Sequence, residues 1–147
     1  MIEIRHRDTD EVMYRSEARS LEGADLRGVD LRGANLREHS LRGADLSGAD
    51  LSDAYLSLSD LDGANLESAS LESAELRRAV LRGANIVGAN LRGADLHEAV
   101  LEEADLCGAN LRGATLTGAE LRLARYSRTT LWPLFFRPRK HGARRAD

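Results

Sequence analysis

Ala24-Asp25-Leu26-Arg27-Gly28 is one copy of the five-residue unit that decides the fold of this chain. Leucine stands at every fifth position from Leu21 to Leu121, with Ile86 as the one substitute, so 21 units follow each other without an insertion. Alanine lies two residues before the leucine in 17 units, Asp or Asn one residue before it in 12, and glycine two residues after it in 12. Internal repetition of this kind indicates a stacked repeat architecture.

A period of five fits neither an amphipathic helix nor a flat strand. On a helix each residue turns by about 100°, so leucines five apart would spread around the whole surface. On a flat strand an odd spacing sends successive leucines to opposite sides. The pattern instead predicts a short extended step and then a corner every five residues, so that each leucine points inward. Four steps close one square coil, and coils stack at about 4.8 Å.

Stacking of coils explains each position of the unit. Equivalent leucines of successive coils, such as Leu41 and Leu61, would form a column, and full burial of each is worth about 1.5–3 kcal/mol. Asp or Asn can bond backbone amides at a corner, and glycine adopts positive φ there at low cost. His39 occupies an alanine position. We expect its imidazole to be bonded by Ser59 or by backbone.

The repeat resembles that of the pentapeptide repeat family, Ala-Asp/Asn-Leu-x-x. The resemblance covers about residues 19–126. It implies an all-β fold, a right-handed quadrilateral (four-sided) parallel β-helix of about five coils. We therefore divide the chain into an N-terminal cap (1–18), the β-helix (19–126) and a C-terminal segment (127–147).

Solenoid ends are exposed and need a cover, because an open end recruits other chains. In Ile2-Glu3-Ile4-Arg5-His6 apolar residues alternate with polar ones, Asp8-Thr9-Asp10 resembles a turn, and Val12 and Tyr14 alternate again. This pattern predicts a β-hairpin over the first coil.

The C-terminal segment combines apolar and basic residues. After Leu121 the five-residue spacing places Tyr126, Leu131 and Phe136 in the inward register. Pro133 excludes a regular helix here. The segment predicts a cap or a homodimer interface, for which the candidates are Tyr126, Leu131, Trp132, Leu134, Phe135 and Phe136. We expect residues 137–147, which are polar and basic, to be disordered.

Charge is unevenly distributed along the repeat. No Lys or Arg occurs between Gly43 and Leu76, and arginines bracket this stretch. The acidic belt consists of Asp45, Asp50, Asp53, Asp60, Asp62, Glu67, Glu72 and Glu75. After the leucines of the side that begins at Leu21, acidic and basic residues alternate from coil to coil, which predicts a ladder of ion pairs.

Two outward surfaces are candidates for binding a partner. On the side that begins at Leu26, acidic residues are opposed only by Arg27, and these residues are Asp25, Asp45, Glu67 and Asp105. On the side that begins at Leu36, Tyr55 and Leu58 replace the usual Asp/Asn and Gly. Adjacent outward apolar residues indicate contact with a partner.

These features favour a non-enzymatic scaffold for protein–protein contact, with an unidentified protein partner. The resemblance implies one alternative: quinolone-resistance members of the family imitate duplex DNA and bind type II topoisomerases, gyrase or topoisomerase IV. That subfamily carries central phenylalanines and loops, which this repeat lacks. The acidic belt also encircles the rod, whereas a duplex mimic needs a stripe along the axis.

Other functional classes find little support. The four histidines are scattered, and Cys107 has no evident base beside it, so we expect no enzyme, metal, cofactor or small-molecule substrate. A single cysteine and a charged start indicate a cytoplasmic protein without a disulfide framework or a secretory signal. The basic residues of 137–147 are interpreted as a solubilising tail, so nucleic acid and membranes are not expected partners.

Overall fold

The computed structural model describes residues 1–147. Parallel β-bridges join residues 20 positions apart on each of four sides, and the first coil bridges the second at Asp25–Asp45, Asp30–Asp50, Asn35–Tyr55 and Ser40–Asp60. The chain is therefore a four-sided coil with one five-residue unit per side. We call the sides that begin at Leu21, Leu26, Leu31 and Leu36 faces 1, 2, 3 and 4.

The inward leucines form the core. Every repeat leucine from Leu21 to Leu111, and Ile86, is at most 1% exposed. Alanines of the preceding position lie in the same cluster, and buried Ser59 donates its hydroxyl to the carbonyl oxygen of Leu56 at 2.7 Å. The inward orientation predicted from the spacing is confirmed. Because the core is one leucine and one small residue wide on each side, the surface positions are free to vary without disturbing it.

The corner has the same backbone conformation in every unit. The residue two after the leucine has positive φ in all 21 units, although nine of them have a side chain there, Asp53 and Leu58 among them. Asp and Asn side chains before the leucine accept from the backbone N–H two residues later, as Asp45 Oδ1 does from Ser47 at 3.0 Å. The expected corner bonds are present.

The N-terminal end is closed by an antiparallel hairpin. Strand β1 (Ile2–His6) pairs with β2 (Val12–Ser16) on one side and with β3 (Ala34–Asn35) on the other. The hairpin thus adds to the first coil at the edge of face 4. Ile4 on β1 is fully buried in the core cluster.

The C-terminal end changes register. Leu131 bridges Asn110, a separation of 21 rather than 20 residues. As a result Thr130 takes the alanine position and Trp132 the leucine position. The prediction that Leu131 and Phe136 continue the inward register is therefore wrong, because the side chains of Ser127 and Thr130 accept the N–H of Gly108 and lengthen this unit by one residue.

The last residues are ordered, so the prediction of a disordered tail is wrong. A 3₁₀ helix (Pro138–His141) leads to β5 (Arg144–Arg145), which pairs in parallel with β4 (Arg125–Tyr126). The N–H of Arg144 donates to Ala124 at 2.7 Å, and Ala143 is buried. Small Ala143 fits the alanine position of the core, which a basic composition does not reveal. The chain forms no helix long and apolar enough to cross a bilayer.

Candidate interaction surfaces

Face 2, the predicted acidic surface, is neutralised at both ends. Arg27 holds Asp25 through two hydrogen bonds of 2.8 and 2.6 Å and lies 4.0 Å from Asp45. The hydrogen bonds from Arg27 lower the pKa of Asp25 to about 2. At the other end Arg125 pairs with Asp105 at 3.1 Å. The prediction that Arg27 alone opposes these acids is therefore wrong, because Arg125 ends the same column one coil after Asp105.

Amides link the middle of face 2. Asn65 donates to Asp45 at 3.2 Å, and Asn85 donates to Asn65 at 3.1 Å. Asn85 also reaches Glu67 at 3.4 Å. Hydrogen bonds from Ser47 are the main cause of the lowered pKa of Asp45. Glu67 is the one predicted acid of this face that has no cationic partner.

The bracketing arginines reach into the acidic belt. Five of its eight carboxylates have a guanidinium within 4.0 Å: Asp45 (Arg27), Asp50 (Arg32), Asp60 and Asp62 (Arg42) and Glu75 (Arg7). Asp53, Glu67 and Glu72 have no ion pair. All three are exposed, on faces 2 and 3, and Asn90 donates to Glu72 at 3.2 Å. The belt thus reduces to an acidic patch of Asp53, Glu67 and Glu72.

Face 1 carries the predicted ladder of ion pairs. Arg42 meets Asp62 at 2.9 Å, and Glu102 lies between Arg82, at 3.2 Å, and Arg122. Hydrogen bonding by Arg122 is the largest cause of the lowered pKa of Glu102. The ladder is confirmed in these three pairs. It leaves little uncompensated charge on this face.

The predicted apolar patch on face 4 is mostly covered. Arg7, from the turn of the hairpin, lies over the Tyr55 ring with its guanidinium carbon 3.4 Å from the ring centroid. It also donates to the Tyr55 hydroxyl and, at 2.8 Å, to the carbonyl oxygen of Asp53. Tyr55 is therefore an anchor for the cap rather than a free surface. Leu58 remains 39% exposed.

The C-terminal aromatic residues divide into two groups. Trp132 contacts Tyr126 edge-on at 5.7 Å between centroids and stacks on Phe136 at 5.1 Å, and all three pack against the core. Leu131 is half-buried beside them. Leu134 and Phe135, by contrast, are 88% and 95% exposed at the tip of a turn. The first group closes the end of the coil, and the second faces solvent.

The chemically versatile side chains are separated from one another. Burial is the main cause that raises the pKa of the Cys107 thiol to about 11, so it is protonated at neutral pH. His39 Nδ1 lies 2.9 Å from the carbonyl oxygen of Arg37, which confirms the backbone interpretation for this residue. No three His, Cys, Asp or Glu side chains have the arrangement of a metal site.

Sequence reasoning missed three charged residues that shape these surfaces: Arg7, Arg125 and Asp147. Arg125 could have been found by extending the 20-residue column beyond Asp105. Arg7 could not, because its position depends on where the hairpin docks. Asp147 accepts from the Arg128 backbone, which is the main cause that lowers its pKa to about 2.

Comparison with known proteins places this geometry in context. The family model described as pentapeptide repeats matches eight copies, over residues 20–57, 59–97 and 89–125. A search of curated proteins finds no match.

Solved structures with the same repeat are similar over much of the chain. The pentapeptide repeat protein Rfr23 from the cyanobacterium Cyanothece 51142 is 39% identical, with a TM-score of 0.64 over 64% of each chain. The protein alr5209 from Nostoc Pcc 7120 is 36% identical, with a TM-score of 0.61 over 82% of this chain and 84% of that one. QnrB1, a plasmid-mediated fluoroquinolone resistance protein, is 18% identical over 84% of this chain and 80% of that one, with a TM-score of 0.41. That last likeness is too distant to carry an argument about function.

Proposed function

Because the chain belongs to the pentapeptide repeat family, we propose that it is a non-enzymatic scaffold that holds a protein partner on its rigid outer surface. Its fold is the right-handed quadrilateral β-helix of that family. The partner is expected to share the cytoplasm with it.

The observation that supports the proposal is the separation of core from surface. Nine corners keep a side chain at positive φ, a conformation that costs about 1–2 kcal/mol for residues other than glycine. The aliphatic columns are sealed whatever stands at these outward positions. Such a rod can therefore present a pattern of side chains at fixed spacing, which is what recognition of a protein surface requires.

The acidic patch of Asp53, Glu67 and Glu72 is the proposed contact surface. Its carboxylates have no cation of their own, whereas the rest of the belt is paired. Asn85 and Asn90 hold two of them in place, so little side-chain entropy is lost on binding. A partner with a basic surface would be complementary in charge.

The alternative of a duplex-DNA mimic is less well supported by this geometry. A mimic needs uncompensated negative charge along the axis, and face 1 carries an alternating ladder while face 2 is neutralised at both ends. A supercoiling assay with gyrase tests the alternative directly. Inhibition or drug protection at micromolar concentrations of the protein would support the mimic over the scaffold.

The scaffold proposal is tested by capture from cells that produce the protein. Full-length protein is compared with the double variant Glu67→Lys/Glu72→Lys and with the control Glu103→Lys/Glu120→Lys, which makes the same change of charge at exposed residues without ion pairs on face 1. We expect one cellular protein to be enriched by the parent and the control and reduced at least tenfold by the patch variant. Equal capture by all three proteins, or no enrichment, would contradict the proposal.

A further inference from the structure

Face 4 ends, on the C-terminal side, in an unpaired strand edge formed by residues 115–118. The N–H groups of Leu116 and Gly118 and the carbonyl group of Ala114 have no hydrogen-bond partner in the protein. One coil earlier the corresponding donors are satisfied: Leu96 donates to Thr115 and Glu98 donates to Thr117, both at 2.9 Å. The last coil therefore presents the pattern that would bind one more strand.

This edge differs from the other open edges in having no charge. At the N-terminal end, the edges of faces 2 and 3 carry the ion pairs Asp25–Arg27 and Asp30–Arg32 at 2.6 and 2.8 Å. Charged side chains are a common protection against strand addition. The C-terminal edge reads Thr-Leu-Thr-Gly, and β-branched threonine suits a strand.

An apolar hollow of about 430 Å³ adjoins this edge. Its apolar lining comes from Ala114, Leu116, Pro133, Leu134, Phe135 and Phe136. Leu116 and Ala114 are 7% and 8% exposed, more than the preceding members of their columns, and Leu134 and Phe135 extend from the rim into solvent. A strand on the edge could bury its apolar side chains here.

The opposite end of face 4 already binds an added strand. There β1 pairs antiparallel with the edge, with Arg5 opposite Asn35 and His6 opposite Ala34, and Ile4 of β1 enters the core. An antiparallel strand from outside the coil is therefore sterically compatible with this face.

The charge around the edge indicates which strand fits. Residues 126–147 contain six basic residues and one acidic residue. Asp147 is engaged by Arg128 and Arg145, while Arg137, Arg139, Lys140 and Arg144 form no ion pair. Two copies meeting edge to edge would bring these basic ends together, which is unfavourable. An acidic segment would be attracted.

We propose that the 115–118 edge binds an extended segment of a partner protein as an additional β-strand, and that apolar residues alternate with acidic residues in this segment. Alternation follows from strand geometry, since every second side chain would face the hollow and the others the basic rim. The inference names a second contact of the proposed scaffold and rests on that function for its biological setting.

The test uses the full-length protein and a seven-residue peptide of alternating glutamate and valine, blocked at both ends. Amide hydrogen exchange is followed by NMR with and without the peptide. The Leu116 and Gly118 amides are expected to gain at least tenfold protection, and the Leu96 and Glu98 amides, already bonded, to stay unchanged. Leu134→Ser/Phe135→Ser should weaken peptide binding at least fivefold, whereas Leu58→Ser, also exposed on face 4, should not.

Three results would overturn the inference. The first is no protection at millimolar peptide, and the second is equal binding of a backbone N-methylated peptide or of one with lysine in place of glutamate. The third is protection that rises with protein concentration alone, together with a dimer in sedimentation, which would assign the edge to a second copy. Failure here with capture through the acidic patch intact would leave the scaffold standing, because the capture variants do not touch this edge.

Discussion

The two ends of the solenoid are closed in different ways. At the N-terminus a separate hairpin, β1 and β2, adds to face 4 across the direction of the coil and buries Ile4 completely. At the C-terminus the chain continues along its own helical path and loses the repeat through one long step and one short step. Face 4 is thus covered at the first end and left open at the second.

The difference shows what a cap requires. A strand that follows the coil can pair only with the face it has reached, so β5 covers face 2 while Leu116 on face 4 becomes partly exposed. A hairpin from outside the repeat is free to lie where an edge needs it. Arg7 then fixes the hairpin by stacking on Tyr55 and bonding the Asp53 carbonyl.

The largest effect is expected between the two ends. Leu66→Arg places an unpaired charge in the sealed core, and its desolvation would exceed the whole stability of a domain of about 5–15 kcal/mol. The variant should be unfolded by circular dichroism. Leu116→Arg, at the open edge, can extend its side chain into solvent and should fold with a lower melting temperature. An unchanged melting point for Leu66→Arg would contradict the inward assignment.

A pair of glycines in one column separates the two ends by a smaller effect. A Cβ on Gly33 would lie 2.5 Å from His6 Nε2 of the hairpin, whereas one on Gly113 would meet nothing closer than 3.7 Å. Both have positive φ, so Gly113→Ala should cost about 1 kcal/mol. Gly33→Ala should cost about 2–4 kcal/mol because strain and overpacking add.

Urea denaturation measures this difference. Adding His6→Ala to Gly33→Ala should recover part of the loss. Equal costs at the two glycines would show that the hairpin does not press on the first coil.

Removal of residues 142–147 examines the C-terminal cap. The deletion breaks three inter-coil hydrogen bonds, from Leu123 to Gly142, from Arg144 to Ala124 and from Ala146 to Tyr126. We expect a loss of about 1–2 kcal/mol in the free energy of unfolding, since each bond contributes about 1 kcal/mol net and ordering of the segment opposes it. Sedimentation of the same variant tests the predicted homodimer, and an unaltered profile would leave the segment as a cap alone.

The smallest effect concerns acid. Hydrogen bonds lower the pKa of Asp25 and Asp30 at the first end, and of Asp147 at the last, from 3.8 to about 2. Their contribution to stability is complete above pH 4 and is lost as the pH falls to 2, because the unfolded chain takes up protons first. The melting temperature should fall slightly over this window, since all three are exposed. Asp25→Asn/Asp30→Asn should flatten the fall, and an unchanged slope would show that the pairs are not formed.

The sequence predicted the parts of this structure that depend on period alone. Inward leucines, corner geometry and the ladder of face 1 all follow from positions five or 20 residues apart. The slip at Leu131 could not be foreseen, because it arises from hydroxyl groups of Ser127 and Thr130 that replace a backbone partner.

The surfaces were less predictable than the core because they depend on where non-repeating segments dock. Tyr55 looked free from its column, and only the position of the hairpin brings Arg7 onto its ring. The order of residues 137–147 likewise rests on one small side chain, Ala143, in a basic stretch.

The hairpin at the first end also bears on how the chain comes to be folded. Each coil takes its hydrogen bonds from a neighbour 20 residues away, and β1 finds its partner β3 before the second coil begins. Growth in one direction from a preformed starting edge needs no long loop to close, which keeps the entropic barrier of each step small. A nascent chain leaving the ribosome can therefore be laid down turn by turn, and the growing tip travels with it until synthesis stops.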